Sequence, residues 1–327
     1  MIIPAPAVKR QLCGVIFSRI MSRGKLELAA AQLLEFSAAD VKSLTALVPQ
    51  AEELLPVKSG ASMIAVFEGE NASEILPQLA ADIEQSLSCR LITAAAGNSR
   101  FLQALALIAD RENLLTQAPA AGEERTLLII KPENFRQPSV RPGAVIDMLM
   151  SLDLKWVGCK VHGMSIDEAL EFYGPVRQAL RSKLGSKIGK QALETIEKEF
   201  NFTFDTAEAA KIVETAGNGF ADDQFEQIVE FMAGKRPAEV DPADYAKPAG
   251  AKCMVLIFDG VDAVAKIRTI LGPTNPAQAS GGTVRYDFGT NIMVNASHAS
   301  DSQESYARES AIVKVNENKL SEILKNR

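Results

Sequence analysis

No stretch of this 327-residue chain approaches the roughly 18 consecutive apolar residues that a membrane-spanning helix needs. The opening Met1-Ile-Ile-Pro-Ala-Pro lacks the basic start and long apolar core of a secretory signal. Positive charge is not in excess either. A formal net charge of −6 argues against sequence-specific or general nucleic-acid binding, although it leaves room for a local basic pocket around one small anion. The four cysteines, Cys13, Cys89, Cys159 and Cys253, form no Cys-x-x-Cys and read as reduced thiols of a cytoplasmic protein. Histidine is scarce as well: the chain has two, His162 and His298. What remains is an ordinary globular balance, 47% hydrophobic and 23% charged, with length for two domains.

The chain repeats itself. Residues 12–40 lie over residues 140–168, with Gly14 over Gly143, Ser22 over Ser151 and Ser37 over Ser165, at an offset of 128–129. Further on, Phe67-Glu-Gly-Glu-Asn-Ala72 lies over Phe258-Asp-Gly-Val-Asp-Ala263, now at an offset of 191. The added length measures an insertion in the second copy, about 186–249. It carries helical patterns near 187–200, 206–216 and 221–233 and ends in the proline-rich Arg236-Pro237 to Lys247-Pro248. The predicted domains are therefore 1–115, a linker 116–124, and 125–327 with the helical insertion.

Within the second copy the pattern predicts strand 125–130, helix 143–151, strand 155–163 and helix 166–183. After the insertion come strand 252–258, helix 261–271 (Val261, Val264, Ile267 and Leu271 facing a core) and strand 291–296. A last helix begins near Ser302. That order is β-α-β-β-α-β. The fold class is α+β: two ferredoxin-like, split βαβ domains with antiparallel sheets, the second carrying the insertion.

The two histidines have different settings. His162 closes the run Trp156–His162 and reads as a strand residue. His298 lies in Asn295-Ala-Ser-His298-Ala-Ser300-Asp301-Ser302, where a strand meets a turn and Asp301 or Ser302 can cap a helix. Glu309 follows two turns after Ser302 on the same helix face. Its carboxylate can accept a proton from one imidazole nitrogen, directly or through a hydroxyl, and leave the other nitrogen as a nucleophile. Arg268 and Arg285, with a threonine between them, are the donors that a polyphosphate needs.

Taken in order, Arg125-Thr-Leu-Leu-Ile-Ile-Lys131-Pro132, Leu271-Gly-Pro-Thr-Asn-Pro276, Gly282-Thr-Val-Arg285-Tyr-Asp-Phe288 and Asn295-x-x-His298-x-Ser300-Asp301-Ser302 resemble the signature segments of nucleoside diphosphate kinases. The resemblance covers about 125–184 and 250–312. It implies a ping-pong transfer of the terminal phosphate of a nucleoside triphosphate to a nucleoside diphosphate through His298, supported by Glu309 and Ser300. By the same resemblance Lys131, Tyr173, Arg268, Thr274, Arg285 and Asn295 hold the nucleotide, and Mg²⁺ is carried on its phosphates rather than by protein ligands.

Two segments depart from the family. The Arg-Pro-Phe-Phe stretch that stacks on the base has no match after Tyr173, and Met293-Val294 replaces Gly-Arg. The insertion's phenylalanines and its Gly217-Asn218-Gly219 suggest a hinged lid that controls access to the nucleotide or supplies the missing aromatic, against the plainer reading that these rings pack the insertion's own small core. The first copy has Pro4 where the second has Lys131 and has no histidine, so it reads as a catalytically silent packing partner. The assembly expected is a homo-oligomer or an intrachain pseudo-dimer. The alternatives are a non-enzymatic nucleotide-binding or protein-interaction descendant and a phosphohistidine carrier.

Overall fold

A computed structural model describes residues 1–57, 59–94, 99–111 and 114–326. The chain divides into two compact units, Met1–His162 with Cys253–Arg327, and Gly163–Lys252.

The first unit holds two antiparallel sheets. One contains β1 (Ile2–Ile3), β2 (Glu27–Leu34) and β3 (Ser62–Glu68) in the order β1-β3-β2. The other contains β4 (Glu124–Ile130), β5 (Lys155–His162), β6 (Cys253–Gly260) and β7 (Ser297–Ala299) in the order β5-β6-β4-β7. Numbered within its own copy, the second sheet runs 2-3-1-4, the split βαβ order. The first sheet runs the same way, with its fourth strand reduced to a bridge between Ile2 and Ile92. The α+β, ferredoxin-like reading therefore holds for both copies.

Register carries the duplication down to single residues. Ile129 sits between Val255 and His298, as Ile2 sits between Ile64 and Ile92. Ile92 thus occupies the place of His298. Asn71 and Asp262, equivalent at the 191-residue offset, both cap their helices with left-handed φ of 55° and 53°. Ser37 and Ser165 both close capping boxes, with Asp40 and Glu168 respectively.

Period-two alternation sets the core. Ile3, Met63 and Ala65 face one layer with Leu128, Ile130, Met254 and Leu256, under the helices Cys13–Gly24 and Arg141–Met150. Ile2, Ile64 and Ile92 face the opposite side, where Phe101, Leu105, Leu320 and Leu324 cover them. The two helices cross at equivalent glycines. A Cβ on Gly14 would stand 2.4 Å from the Gly143 carbonyl oxygen, and one on Gly143 would stand 2.2 Å from that of Gly14. Only glycine permits backbones so close. Asn318 adds a tie between the copies, donating from its amide to the Ala31 and Cys159 carbonyls, both at 3.1 Å.

The second unit differs from its sequence reading in three ways. The helix expected over 166–183 breaks at Tyr173, because Gly174-Pro175 begins a new segment. It runs as Ile166–Phe172 and Gly174–Ala179 and continues through a wide turn, Leu180–Gly185, into Ser186–Phe200. The patterns near 206–216 and 221–233 are one helix, Thr206–Ala233. Gly217-Asn218-Gly219 is therefore mid-helix and makes no hinge. A Cβ on Gly217 would lie 2.2 Å from the Gly185 carbonyl oxygen, and one on Gly189 would lie 2.0 Å from that of Val213, so both serve close helix packing. Of the phenylalanines, Phe225 is buried while Phe200, Phe202 and Phe220 are exposed. No helix among the described residues is long and apolar enough to cross a membrane.

Candidate functional site

The strand expected at 291–296 is found at Ser297–Ala299 instead, so His298 lies within β7, paired with Ile129 of β4. Residues 291–294 form a turn in which the Asn291 carboxamide oxygen accepts from the amides of Met293 (2.9 Å) and Val294 (2.8 Å). Ala296, between turn and strand, has a left-handed φ of 69°. Such a conformation costs a residue with a Cβ about 1–3 kcal/mol. Three hydrogen bonds hold it there: its amide donates to Glu133 Oε1 (2.7 Å), and its carbonyl accepts from the Lys131 amide (2.9 Å) and Asn134 Nδ2 (3.0 Å).

His298 Nε2 lies 3.0 Å from Glu309 Oε2, and Ser300 donates its hydroxyl to that same oxygen at 2.8 Å. Glu309 comes from the helix Gln303–Ile312, which Ser302 caps by accepting from the Ser305 amide. Arg308 holds the other carboxylate oxygen at 3.2 Å. Glu309 is 3% exposed, so this charge is stabilised by the three donors rather than by water. With the carboxylate accepting at Nε2, the imidazole carries its lone pair on Nδ1.

Beside this pair is a cluster of cations. Lys131 directly follows β4, is 8% exposed, and donates from Nζ to Asn295 Oδ1 (2.7 Å) and the Met293 carbonyl (3.1 Å). Burial lowers its pKa to about 8; Glu133 pulls it up, and Arg285 pushes it further down. Asn295 fixes the loop by donating to the Thr274 (3.0 Å) and Ile292 (2.9 Å) carbonyls. Arg285, on the short helix Val284–Phe288, reaches the Gly272 carbonyl (2.9 Å) and the Ser297 carbonyl (3.2 Å), next to His298. Burial and then the charge of Arg268 depress its pKa. Arg268 projects from the exposed side of helix Ala263–Leu271, whose buried side is Ala263, Ile267 and Leu271. Val261 lies before that helix and is exposed, contrary to its expected place in the core. Asp301 stays below the usual carboxylate range because Ser305 donates to it; burial opposes this, and Arg268 assists.

Eight of the nine residues singled out by sequence therefore lie in one compact unit, linked as Lys131–Asn295–Thr274, Arg268–Arg285 and His298–Glu309–Ser300. Tyr173, buried against Phe172, lies in the other unit. Sequence reading missed Glu133, Asn134 and Arg308. Glu133 and Asn134 follow Pro132 in a tight turn, and Arg308 adjoins Glu309; those positions were the available signals. Ala296 offered none.

Arg285 pushes the Lys131 pKa down and Arg268 that of Arg285, so positive charge gathers beside an imidazole held by a carboxylate. The nucleoside diphosphate kinase family model matches residues 225–318 of this chain. The nucleoside diphosphate kinase of Methanoregula boonei is 48% identical over 63 residues, 19% of this chain and 42% of that protein. That of Maricaulis maris is 48% identical over 56 residues, 17% of this chain and 40% of that protein. The matches thus span about two-fifths of each curated relative. A solved NDP kinase from Pyrobaculum aerophilum is similar at 25% identity, with a TM-score of 0.38, over 58% of this chain and 94% of that one.

Proposed function

We propose that this chain is a nucleoside diphosphate kinase that works by ping-pong transfer through His298. In the first half-reaction the Nδ1 lone pair attacks the terminal phosphorus of a nucleoside triphosphate. The N–P bond forms as the bond to the bridging oxygen breaks, and a nucleoside diphosphate leaves. In the second half-reaction a terminal oxygen of another nucleoside diphosphate attacks the same phosphorus, the N–P bond breaks, and the histidine returns to its starting state.

The observation that carries the reading is the 3.0 Å contact between His298 Nε2 and Glu309 Oε2 beside Lys131 and Arg285. Glu309 selects the tautomer and stabilises the positive charge that develops on the ring, while Ser300 fixes the carboxylate. Lys131, Arg268 and Arg285 neutralise the phosphates, and Thr274 and Asn295 shape the loop around them. Tyr173 contributes to the nucleotide site by family resemblance alone. Among the described residues no group of three or more His, Cys, Asp and Glu could hold a metal. Magnesium would enter on the nucleotide's phosphates, where it would shield their charge.

The first copy has Ile92 in the place of His298 and Pro4 in that of Lys131, and we assign it a supporting role. Incubation with terminally labelled ATP followed by a GDP chase tests the proposal. Acid-labile label on the protein that passes to GTP is expected. Label that stays on the protein favours a carrier, and no label with retained binding favours a non-enzymatic descendant.

A further inference from the structure

Helix Arg141–Met150 touches the first copy along one side and the phosphate-site residues at its N-terminal end. On the first side Gly143 packs against Gly14, and the Val140 carbonyl accepts the Ser18 hydroxyl at 3.1 Å. At the helix start Arg141 Nε donates to Asn134 Oδ1 at 3.1 Å, and a second guanidinium nitrogen donates to the Phe288 carbonyl. The guanidinium carbon stands 5.3 Å from the centroid of the Phe288 ring.

Both acceptors lead into the site. Asn134 spends its amide on the Lys131 carbonyl (3.1 Å) and the Ala296 carbonyl (3.0 Å), so it ties the end of β4 to the left-handed residue that launches β7. Phe288 ends the short helix that carries Arg285, and Arg285 in turn is anchored on the Ser297 carbonyl. One planar fork thus sets the spacing between the chain bearing His298 and the segment bearing Arg285. Lysine, a point charge without a fork, cannot bridge both acceptors.

We infer that Arg141 is a positioning residue through which the first copy holds the phosphate site in register; this rests on the phosphotransfer reading above. Arg141 touches neither His298 nor Glu309, so its effect passes through Asn134 and Phe288. Its backbone is set within two residues by the Gly14–Gly143 crossing and by Ser18. The silent copy therefore has a physical route to the reacting atoms that needs no ligand of its own.

The test is a double-mutant cycle with Arg141→Met, Ser18→Ala and both together. ATP affinity, the single-turnover rate of His298 phosphorylation and the thermal midpoint are read for each. Arg141→Met should lower the rate over affinity about tenfold, as expected for a slightly misplaced nucleophile and phosphate clamp. Arg141→Lys should recover part of it. Ser18→Ala should cost about threefold with Arg141 present, the scale of one partly exposed hydrogen bond, and nothing measurable in the Arg141→Met background, where the fork is already gone. A merely structural role moves the midpoint and leaves the ratio of rate to affinity alone. Equal Ser18→Ala effects in both backgrounds, or an Arg141→Met protein as fast and tight as the parent, overturns the inference alone. A parent that neither binds ATP nor becomes labelled overturns the phosphotransfer reading, and the inference with it.

Discussion

Replacing Glu309 with glutamine isolates the charge from the shape. The parent carboxylate receives three donors: His298 Nε2 and Ser300 Oγ on one oxygen, Arg308 on the other. A glutamine can aim its single oxygen at His298 and Ser300 and turn its amide toward Arg308, which is partly exposed and able to swing into water. The bonds to His298 and Ser300 then survive as neutral ones. Hydrogen bonds to charged groups contribute about 1.5–3 kcal/mol against about 1 for neutral ones, so the loss at His298 is about 1–1.5 kcal/mol. That is about tenfold in the rate of phosphorylation, with ATP affinity nearly unchanged. Alanine removes the acceptor entirely, leaves the buried Ser300 hydroxyl without it and releases the tautomer, which should cost about a hundredfold. Rapid-quench measurement of labelled His298 at saturating ATP gives these rates directly. Glutamine within twofold of the parent, or slower than alanine, would refute the assignment of Glu309 as the group that holds and charges the imidazole.

The other predictions follow from the same geometry. His298→Asn should abolish transfer while the fold persists, and phosphopeptide mapping of the parent should find one site per chain and none in residues 1–115. Lys131 has a folded value of about 8 against an ordinary 10.5, so the folded chain gives up that proton first. Below about pH 8 the buried charge opposes folding; between about pH 8 and 10.5 the unfolded chain binds more protons, and this group's contribution to stability rises. Nucleotide affinity should move the other way, weakening as pH rises through about 8, and calorimetric titration of Lys131→Met should lose that dependence. Gly143→Ala places a Cβ 2.2 Å from the Gly14 carbonyl and should destabilise the chain by about 1–3 kcal/mol in urea unfolding. Gly219→Ala, mid-helix with nothing within 4 Å, should instead stabilise by about 0.5–1 kcal/mol.

The duplication was legible because its signals are local and repeated: Ser37 and Ser165 cap by side-chain chemistry, and Gly14 and Gly143 fall at the same register. The His298 block was legible because its residue types leave few other uses. The failures share a cause, tertiary partners overriding a local pattern. Ile292-Met293-Val294 has strand composition, yet the Ile292 carbonyl is taken by Asn295, that of Met293 by Lys131 and that of Val294 by the Thr290 amide, so no ladder can form. Gly217-Asn218-Gly219 has turn composition, yet Gly217 is wanted for its lack of a Cβ beside Gly185. Ala296 adopts φ of 69° without being glycine, because Glu133, Lys131 and Asn134 over-determine it.

The glycine crossing between helices Cys13–Gly24 and Arg141–Met150 has the geometry of an isologous contact, yet both sides belong to one polypeptide. Dilution cannot separate them, because the effective concentration of one half around the other is set by the connecting chain and not by the abundance of the protein. In a contact between identical chains every substitution strikes twice, once on each side of the axis. Here a change at Gly14 leaves Gly143 as it was. Each half was therefore able to drift separately, which is how one position can hold His298 and its structural twin Ile92 within the same molecule.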